Sequence, residues 1–231
     1  MFPKVVVAVT AGLSVGSSWF VVGPGRANVV SDGSLPNASN VALQNGQDGQ
    51  FIIDKGTQPQ NGPNLFHSFS EFSLSDGESA YFVNPDGVER IFSRVTGTDI
   101  SEIFGTLGIL NEGNADLFFL NPNGVIFGPN ARLDVNGSFI ASTSDSIGFV
   151  NGGLFSASQP QESVLLTVQP NAFFFNTTSA SFAERGSITH QSKKKVANAD
   201  GSVSRGFEVL EGETIGFLGG AIDIGRIQGI G

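Results

Sequence analysis

The sequence predicts an all-β protein in which short strands are separated by tight turns. Of the 231 residues, 31 are glycine and 21 are phenylalanine, whereas only 14% are charged. Many glycines beside many bulky apolar side chains indicate short, buried strands. A repeated segment indicates that these strands stack on one another. Long helices are not expected, and no change in composition marks a second domain.

Apolar and polar residues alternate in several of the predicted strands. Leu133 and Val135 flank Asp134, and Ile222 and Ile224 flank a second aspartate. A period of two places alternate side chains on opposite faces of a strand. Glycine, asparagine, proline or aspartate ends each run, as expected for short strands.

One segment has helical spacing instead. Ile100, Ile103 and Leu107 lie three or four residues apart. Gly105 and Gly108 would each cost such a helix about 1 kcal/mol relative to alanine. We therefore expect one helical turn here at most.

Residues 80–88 and 117–125 carry the same pattern at an offset of 37 residues. In both, an aromatic-rich strand ends at Asn-Pro, turns at Asp-Gly or Asn-Gly and continues with valine. Proline removes a backbone donor, and the pair that follows it readily supplies positive φ. With about 18 to 22 residues in each coil of a β-solenoid, the offset would equal two coils. A duplicated turn in a β-sandwich is the alternative.

In a solenoid, each coil depends on its neighbours to bury its apolar side chains. We expect phenylalanine and valine to fill the interior, and asparagine and glycine to form the corners. The less periodic residues 28–53 would form a cap that covers the open strand edge of the first coil.

Residues 1–27 have the pattern of a secretory signal peptide. Lys4 supplies a positive charge, an apolar stretch follows over residues 5–22, and Gly25 and Ala27 provide the small residues of a cleavage site. The stretch is long enough for a transmembrane anchor, but glycine and serine interrupt it. We expect cleavage after Ala27, one domain over residues 28–231 and no stable membrane span after cleavage.

The charge balance is acidic, with a formal net charge of −9. Removal of the leader takes away Lys4 and Arg26 and no acidic residue. Nucleic-acid binding requires a basic face, so no nucleic-acid partner is expected. The basic run at residues 193–195 is expected to be a solvated loop. The lack of cysteine fits a chain that crosses an outer membrane unfolded, and it also fits any protein whose core is stable without disulfides.

Three blocks of sequence resemble a known family. They are residues 64–72 (Asn-Leu-Phe-His-Ser-Phe-Ser-Glu-Phe), residues 94–97 (Arg-Val-Thr-Gly) with Ile103 and residues 105–107 (Gly-Thr-Leu), and residues 117–142, which include Asn-Pro-Asn-Gly-Val-Ile-Phe-Gly. In this order the blocks are similar to the N-terminal domain of filamentous haemagglutinins, also called the two-partner-secretion or haemagglutination-activity domain. The likeness runs from about residue 31 to residue 168, with a weaker continuation to residue 220.

The resemblance implies a right-handed parallel β-helix with an N-terminal cap. It also implies Sec-dependent export, recognition by the POTRA domains of a partner outer-membrane β-barrel transporter, and folding outside the cell. The protein would be secreted or held at the cell surface, where an adhesin of this family meets a host or cell-surface receptor. Family members continue into a long β-helical rod; this chain ends at Gly231, so we expect the rod to be absent.

The family has two asparagine-rich motifs, which are candidate transporter-recognition or turn residues. The second motif is intact as Asn121, Pro122, Asn123 and Gly124. The first has lost its leading asparagine, so that only Asn64 carries over. Both interpretations, contact with the transporter and stabilisation of a turn, stay open at this point.

Catalytic, metal-binding and cofactor-binding residues are not expected. His67 and His190 are interpreted as structural or exposed, with a buried or edge position and a hydrogen bond for His67. A β-helical polysaccharide lyase or glycosidase would need acidic or basic groups that converge on one face. The candidate aspartates occur singly in the sequence, at Asp76, Asp86, Asp99, Asp116 and Asp134. A free-standing surface adhesin is the other alternative.

Overall fold

A computed structural model describes most of the chain: residues 4–8, 28–44, 48–110, 113–150, 152–165, 167–175, 186–193, 195–197, 203–205 and 207–224. These residues form a β-solenoid of about four coils. Short 3₁₀ turns lie at Pro59–Asn61 and Pro160–Glu162. Within these ranges, no helix is long and apolar enough to span a membrane.

The fold consists of short strands. In chain order, the first ten are β1 Lys4–Ala8, β2 Asn28–Ser31, β3 Ser39–Leu43, β4 Gln50–Lys55, β5 Asn64–Ser73, β6 Ser79–Phe82, β7 Arg90–Val95, β8 Ser101–Ile103, β9 Thr106–Ile109 and β10 Asp116–Leu120. The others are β11 Val125–Phe127, β12 Arg132–Asp134, β13 Phe139–Ser142, β14 Ser146–Phe149, β15 Leu154–Ser156, β16 Pro170–Phe174, β17 Ser187–His190, β18 Lys195–Ala197, β19 Val203–Arg205, β20 Thr214–Leu218 and β21 Ala221–Ile224.

Three sheets form the sides of the solenoid. The first sheet has the order β1-β20-β13-β10-β7-β5-β2, the second β21-β17-β11-β8 and the third β12-β9-β6-β4-β3. The chain visits them in turn, so that β7, β8 and β9 make one coil and β10, β11 and β12 the next. Strands of successive coils pair in parallel, whereas β2 and β3 run antiparallel to β5 and β4. The predicted parallel β-helix and its N-terminal cap are confirmed.

The coils differ in length, and not all of them lie within the predicted range of about 18 to 22 residues. Arg90 pairs with Asp116 and Leu117 pairs with Phe139, which gives coils of 26 and 22 residues. The interpretation of the 37-residue offset as two coils is therefore wrong. Its two copies lie on different sheets, residues 80–82 on the third and residues 117–120 on the first. The Asn-Pro-x-Gly pattern ends a strand locally, and it does not determine the length of a coil.

The segment with helical spacing forms strands β8 and β9 rather than a helical turn. A Cβ atom on Gly105 would lie 2.2 Å from the carbonyl oxygen of Glu78 in the preceding coil. Glycine is needed there because no side chain fits between the two coils. The predicted alternation in β12 is confirmed, because Leu133 and Val135 are buried and Asp134 is exposed.

The interior of the solenoid is rich in phenylalanine. The inward rings include Phe69, Phe72, Phe82, Phe119, Phe127, Phe139 and Phe217. Three other phenylalanines, Phe66, Phe92 and Phe118, point outward from the first sheet. Their rings stack at centroid distances of 5.0 and 4.7 Å. The expectation that phenylalanine fills the interior is therefore wrong for these three residues.

An antiparallel extension covers this outward phenylalanine ladder. Strands β14, β15 and β16, inserted between β13 and β17, form a small sheet of their own. Ile147, Phe149 and Phe155 from these strands join the ladder in a second hydrophobic core. The outward phenylalanines of β5, β7 and β10 are thus buried, as the inward side chains of these strands are.

The predicted leader contributes one described strand. Strand β1 pairs in parallel with β20 at the end of the first sheet. The predicted cleavage site after Ala27 lies outside the described residues. The cap begins immediately after it, at Asn28, whose side chain donates a hydrogen bond to Glu71.

Candidate recognition site

The second asparagine motif forms a turn at the end of β10. Asn121 is fully buried. Its Nδ2 donates to the Asp99 carbonyl at 3.0 Å and to Ser101 Oγ at 2.9 Å. Its Oδ1 accepts the Asn123 backbone N–H at 3.0 Å, as in an Asx-turn. One side chain thus shapes its own turn and ties it to the preceding coil.

The other residues of the motif continue this contact between coils. Asn123 Nδ2 donates to the Gly97 carbonyl at 2.8 Å. Gly124 has φ +133°, and a Cβ there would lie 3.1 Å from the Ser187 carbonyl of the following coil. A Cβ on Gly186 would in turn lie 2.2 Å from the carbonyl oxygen of Pro122. The turn is therefore held closely between the coil before it and the coil after it.

Asn64 occupies a different place. It begins β5 and is fully buried. Its Nδ2 donates to the Val168 carbonyl at 2.7 Å, and Arg90 Nη1 donates to its Oδ1 at 3.2 Å. It lies at the start of a strand of the first sheet, whereas Asn121 follows the end of one. The structure brings residues 121–124 together and leaves Asn64 apart from them, by roughly 16 Å along the strand direction.

Removal of the Asn121 amide is expected to lower the free energy of unfolding by about 2 to 3 kcal/mol, at about 1 kcal/mol for each lost hydrogen bond. The variant is Asn121→Ala, measured by urea unfolding of the purified chain. Asn84→Ala is the matched control because Asn84 also precedes Pro-x-Gly, and its buried Oδ1 has no hydrogen-bond partner among the described residues. Equal losses of unfolding free energy in the two variants would contradict the stabilising role assigned to the hydrogen bonds of Asn121.

A buried arginine, which the sequence analysis noted only as part of the block at residues 94–97, joins three parts of the fold. Arg94 in β7 is fully buried. Its Nε donates to Ser68 Oγ of the neighbouring strand β5 at 2.8 Å, and its Nη2 donates to Ser34 Oγ of the cap at 2.9 Å. Its Nη1 donates to the Ser156 carbonyl and to Ser163 Oγ of the extension, both at 2.6 Å. We call these five residues, with Asp32, the Arg94 cluster.

Asp32 supplies the negative charge of the cluster. Its carboxylate accepts hydrogen bonds from Ser68 Oγ and Thr96 Oγ1, both at 2.7 Å, and from the Ser34 backbone N–H at 2.8 Å. Burial alone would raise the pKa of Asp32, but these hydrogen bonds outweigh it and lower the pKa below its ordinary value. Burial lowers the pKa of Arg94 to about 10, against the opposing effect of Asp32, so both groups are charged at neutral pH.

Comparison with known proteins decides the family. A model of the TPS secretion domain matches residues 27–229. The chain belongs to this family. The match includes the cap, all the coils and the antiparallel extension, and it confirms the predicted resemblance. The chain is accordingly the secretion domain of an exported protein.

Several proteins resemble this TPS secretion domain. The heme/hemopexin-binding protein of Haemophilus influenzae is 31% identical over 119 residues, which are 52% of this chain and 12% of that protein. The chain thus spans about an eighth of the length of this relative. The HMW1 secretion domain from Haemophilus influenzae is 19% identical, with 88% of this chain and 41% of that chain covered and a TM-score of 0.49. The filamentous hemagglutinin secretion domain is 18% identical, with coverages of 70% and 49% and a TM-score of 0.45.

His67 of this TPS secretion domain has the predicted buried, hydrogen-bonded position. It is fully buried, and its Nδ1 lies 3.0 Å from Ser39 Oγ of the cap. Its Nε2 has no hydrogen-bond partner within the described ranges. The rings of Phe69 and Phe82 lie 6.3 and 5.1 Å away. Burial lowers the pKa of His67 to about 3, so the folded domain holds the neutral imidazole.

Acid is therefore expected to destabilise the TPS secretion domain as the pH falls below about 6.5, the ordinary pKa of histidine. In the unfolded chain His67 binds a proton near pH 6.5, whereas in the folded domain it does so only near pH 3. The contribution of His67 to the free energy of unfolding is therefore complete above pH 6.5 and is lost as the pH falls towards 3. Between pH 7 and pH 5 the loss is about 2 kcal/mol. Urea unfolding at both pH values measures it. His67→Gln should reduce this pH dependence more than His190→Gln; equal slopes in His67→Gln and the unchanged chain would contradict the prediction.

The carboxylates do not form a metal site in the described part of the chain, where no group of three or more His, Cys, Asp or Glu residues could hold an ion. Asp116, however, does not stand alone as the sequence suggested. Ser138 donates to it through its backbone N–H at 2.9 Å and to Glu213 through its Oγ at 2.7 Å. Burial raises the pKa of Asp116, and the nearby negative charge of Glu213 raises it further. Hydrogen bonds from Ser138 to Asp116 and the positive charge of Arg90 partly oppose this shift.

Proposed function

We propose that this TPS secretion domain directs its protein to a partner outer-membrane transporter, whose POTRA domains bind it before it folds. The observation that carries the proposal is the burial of the family's asparagine side chains. Asn64 and Asn121 are both fully buried, and their amide groups are occupied by other coils and by the extension. A partner could reach these side chains only in a chain that has not yet folded.

An unfolded chain also offers a physical mode of recognition. Extended segments can add as a strand to an exposed sheet edge, where backbone hydrogen bonds supply affinity and side-chain pockets supply specificity. Residues 121–124 would then act twice, first as a recognised segment and later as the turn between coils. We propose the same double role for Asn64.

The proposed route begins with Sec-dependent export. Residues 1–27 would serve as the signal peptide, and cleavage after Ala27 would leave residues 28–231 as the mature domain. Asn28, the first residue of this domain, begins the cap strand β2. Cleavage would also remove β1 from the end of the first sheet, next to β20.

Folding outside the cell would drive the passage. The periplasm offers no nucleotide, so another source of free energy is needed. Each coil that docks buries apolar surface worth about 25 cal/mol per Å². Since about 1.4 kcal/mol changes an equilibrium tenfold, a few kcal/mol per coil would make backward movement rare. The domain would therefore act by recognition and folding, without catalysis.

The context of the whole protein is a further part of the proposal. The resemblance to filamentous haemagglutinins favours an adhesin, which would meet a host or cell-surface receptor after secretion. The name of one relative, the heme/hemopexin-binding protein, favours the capture of an extracellular ligand by a longer protein. Both possibilities place the activity outside this domain.

Co-expression with the partner transporter tests the proposed function. The mature domain, residues 28–231, should appear in the medium with the transporter and remain in the periplasm without it. Asn121→Ala should reduce export by about tenfold if one or two contacts of about 1 kcal/mol each are lost. Asn84→Ala should not reduce it. Equal export with and without the transporter would contradict the proposal.

A further inference from the structure

A polar cavity lies on the outer face of the third sheet. Its volume is about 530 Å³, within the range of ligand sites in proteins. Polar side chains predominate in its lining, which includes Gln50, Ser79, Tyr81, Ile109, Asp134 and Asn136. These residues come from four neighbouring strands, β4, β6, β9 and β12, and from the turn after β12. At about 4.8 Å between strands, the cavity extends roughly 14 Å along the solenoid.

The tyrosine in this cavity is held across the sheet. Tyr81, Gly108 and Asp134 occupy matching register positions on three neighbouring strands. Tyr81 Oη donates to Asp134 Oδ2 at 2.9 Å. A Cβ on Gly108 would lie 2.5 Å from Tyr81 Cε1, so the absence of a side chain on β9 lets the ring pass over that strand.

The arrangement places a fixed aromatic ring among hydrogen-bonding groups. Tyr81 is the only tyrosine of the chain, and it borders the cavity instead of the hydrophobic interior. The amides of Gln50 and Asn136 offer both donors and acceptors, and the carboxyl oxygens of Asp134 offer acceptors. The carboxylate and the net charge of −9 disfavour an anionic ligand.

We propose that this cavity binds an extended, neutral β-1,4-linked oligosaccharide. The C–H face of a pyranose packs on an aromatic ring, and its hydroxyls pair with carboxylate and amide groups. The strand spacing of about 4.8 Å is close to the repeat of an extended glycan, so successive sugars would meet successive strands. The proposal does not depend on the export role. Export concerns the unfolded chain, whereas the cavity exists only in the folded domain.

Fluorine NMR on the full chain labelled with 3-fluorotyrosine tests this proposal. One tyrosine gives one resonance, and that resonance reports on the cavity. Titration with cellotetraose and with tetra-N-acetylchitotetraose should shift it saturably for at least one of them. Asp134→Ala and Asn136→Ala should each weaken binding by about tenfold, the effect of losing one or two hydrogen bonds. Thr189→Ala, on the second sheet, is the control and should bind as the unchanged chain does.

Two results would overturn the assignment. One is a resonance that neither tetrasaccharide shifts at millimolar concentration. The other is unchanged affinity in Asp134→Ala and Asn136→Ala variants whose melting temperatures equal that of the unchanged chain. Because Asp134 is exposed on the outer face of β12, these variants are expected to fold.

Discussion

An Arg94→Met variant is expected to lose about 3 to 5 kcal/mol of unfolding free energy, the range found when one member of a buried charged network is removed. Methionine restores much of the volume but donates no hydrogen bond. Ser156 and Ser163 of the extension and Ser34 of the cap would lose their shared donor, and Asp32 would lose the nearby positive charge. Urea unfolding of the purified chain measures the loss.

Arg132→Met is the matched control for this experiment. Arg132 lies on the outer face of β12 and is partly exposed, so its loss should cost less than about 1 kcal/mol. Limited proteolysis adds a second readout. Because Arg94 ties down both the cap and the extension, residues 28–44 and 152–165 should become more sensitive in the Arg94 variant. A loss no larger than that of the control would show that the cluster is not a structural centre.

Phe139→Ala should destabilise the domain by about 3 to 5 kcal/mol, as is usual for a buried phenylalanine. Phe139 is fully buried inside the solenoid, and its ring lies 6.0 Å from that of Phe127 and 5.9 Å from that of Phe207. Phe174→Ala is the control because Phe174 in β16 is 49% exposed. Similar losses in the two variants would contradict the assigned interior.

Charged substitutions at Phe139 and Phe118 test whether folding drives export. Phe139→Asp places a charge in the solenoid interior, and Phe118→Asp places one in the second core beneath the extension. If docking of coils drives passage, both variants should be exported slowly or stall in the transporter, whereas Phe174→Asp should not. Pulse-labelled secretion assays measure the rate. Unchanged secretion of both variants would contradict the proposed driving force.

Local patterns in the sequence predicted the architecture well. The alternation at residues 133–135 lies in β12 and the residue after it, and the alternation at residues 222–224 lies in β21. The turn at residues 121–124 could also be predicted, because asparagine and glycine have well-defined turn chemistry. These features depend on neighbours in sequence, which periodicity and turn propensity describe directly.

Features that depend on distant contacts could not be predicted in the same way. The length of a coil is determined by how many residues the corners hold, and the Asn-Pro-x-Gly pattern does not encode that number. The hydrogen bonds of Arg94 reach residues 26 to 69 positions away. One available signal was missed: the continuous apolar run at residues 117–120 indicates a strand buried on both faces, and hence a covering layer.

Binding of the partner's isolated POTRA domains to folded and unfolded forms of the chain tests the central claim most directly. The Phe139→Asp variant is expected to supply an unfolded form without denaturant, because it places a charge in the solenoid interior, and the unchanged, refolded chain supplies the folded form. We predict that the unfolded form binds and the folded form does not, and that adding Asn121→Ala weakens binding more than adding Asn84→Ala. A folded chain that binds as tightly as the unfolded one would contradict the account.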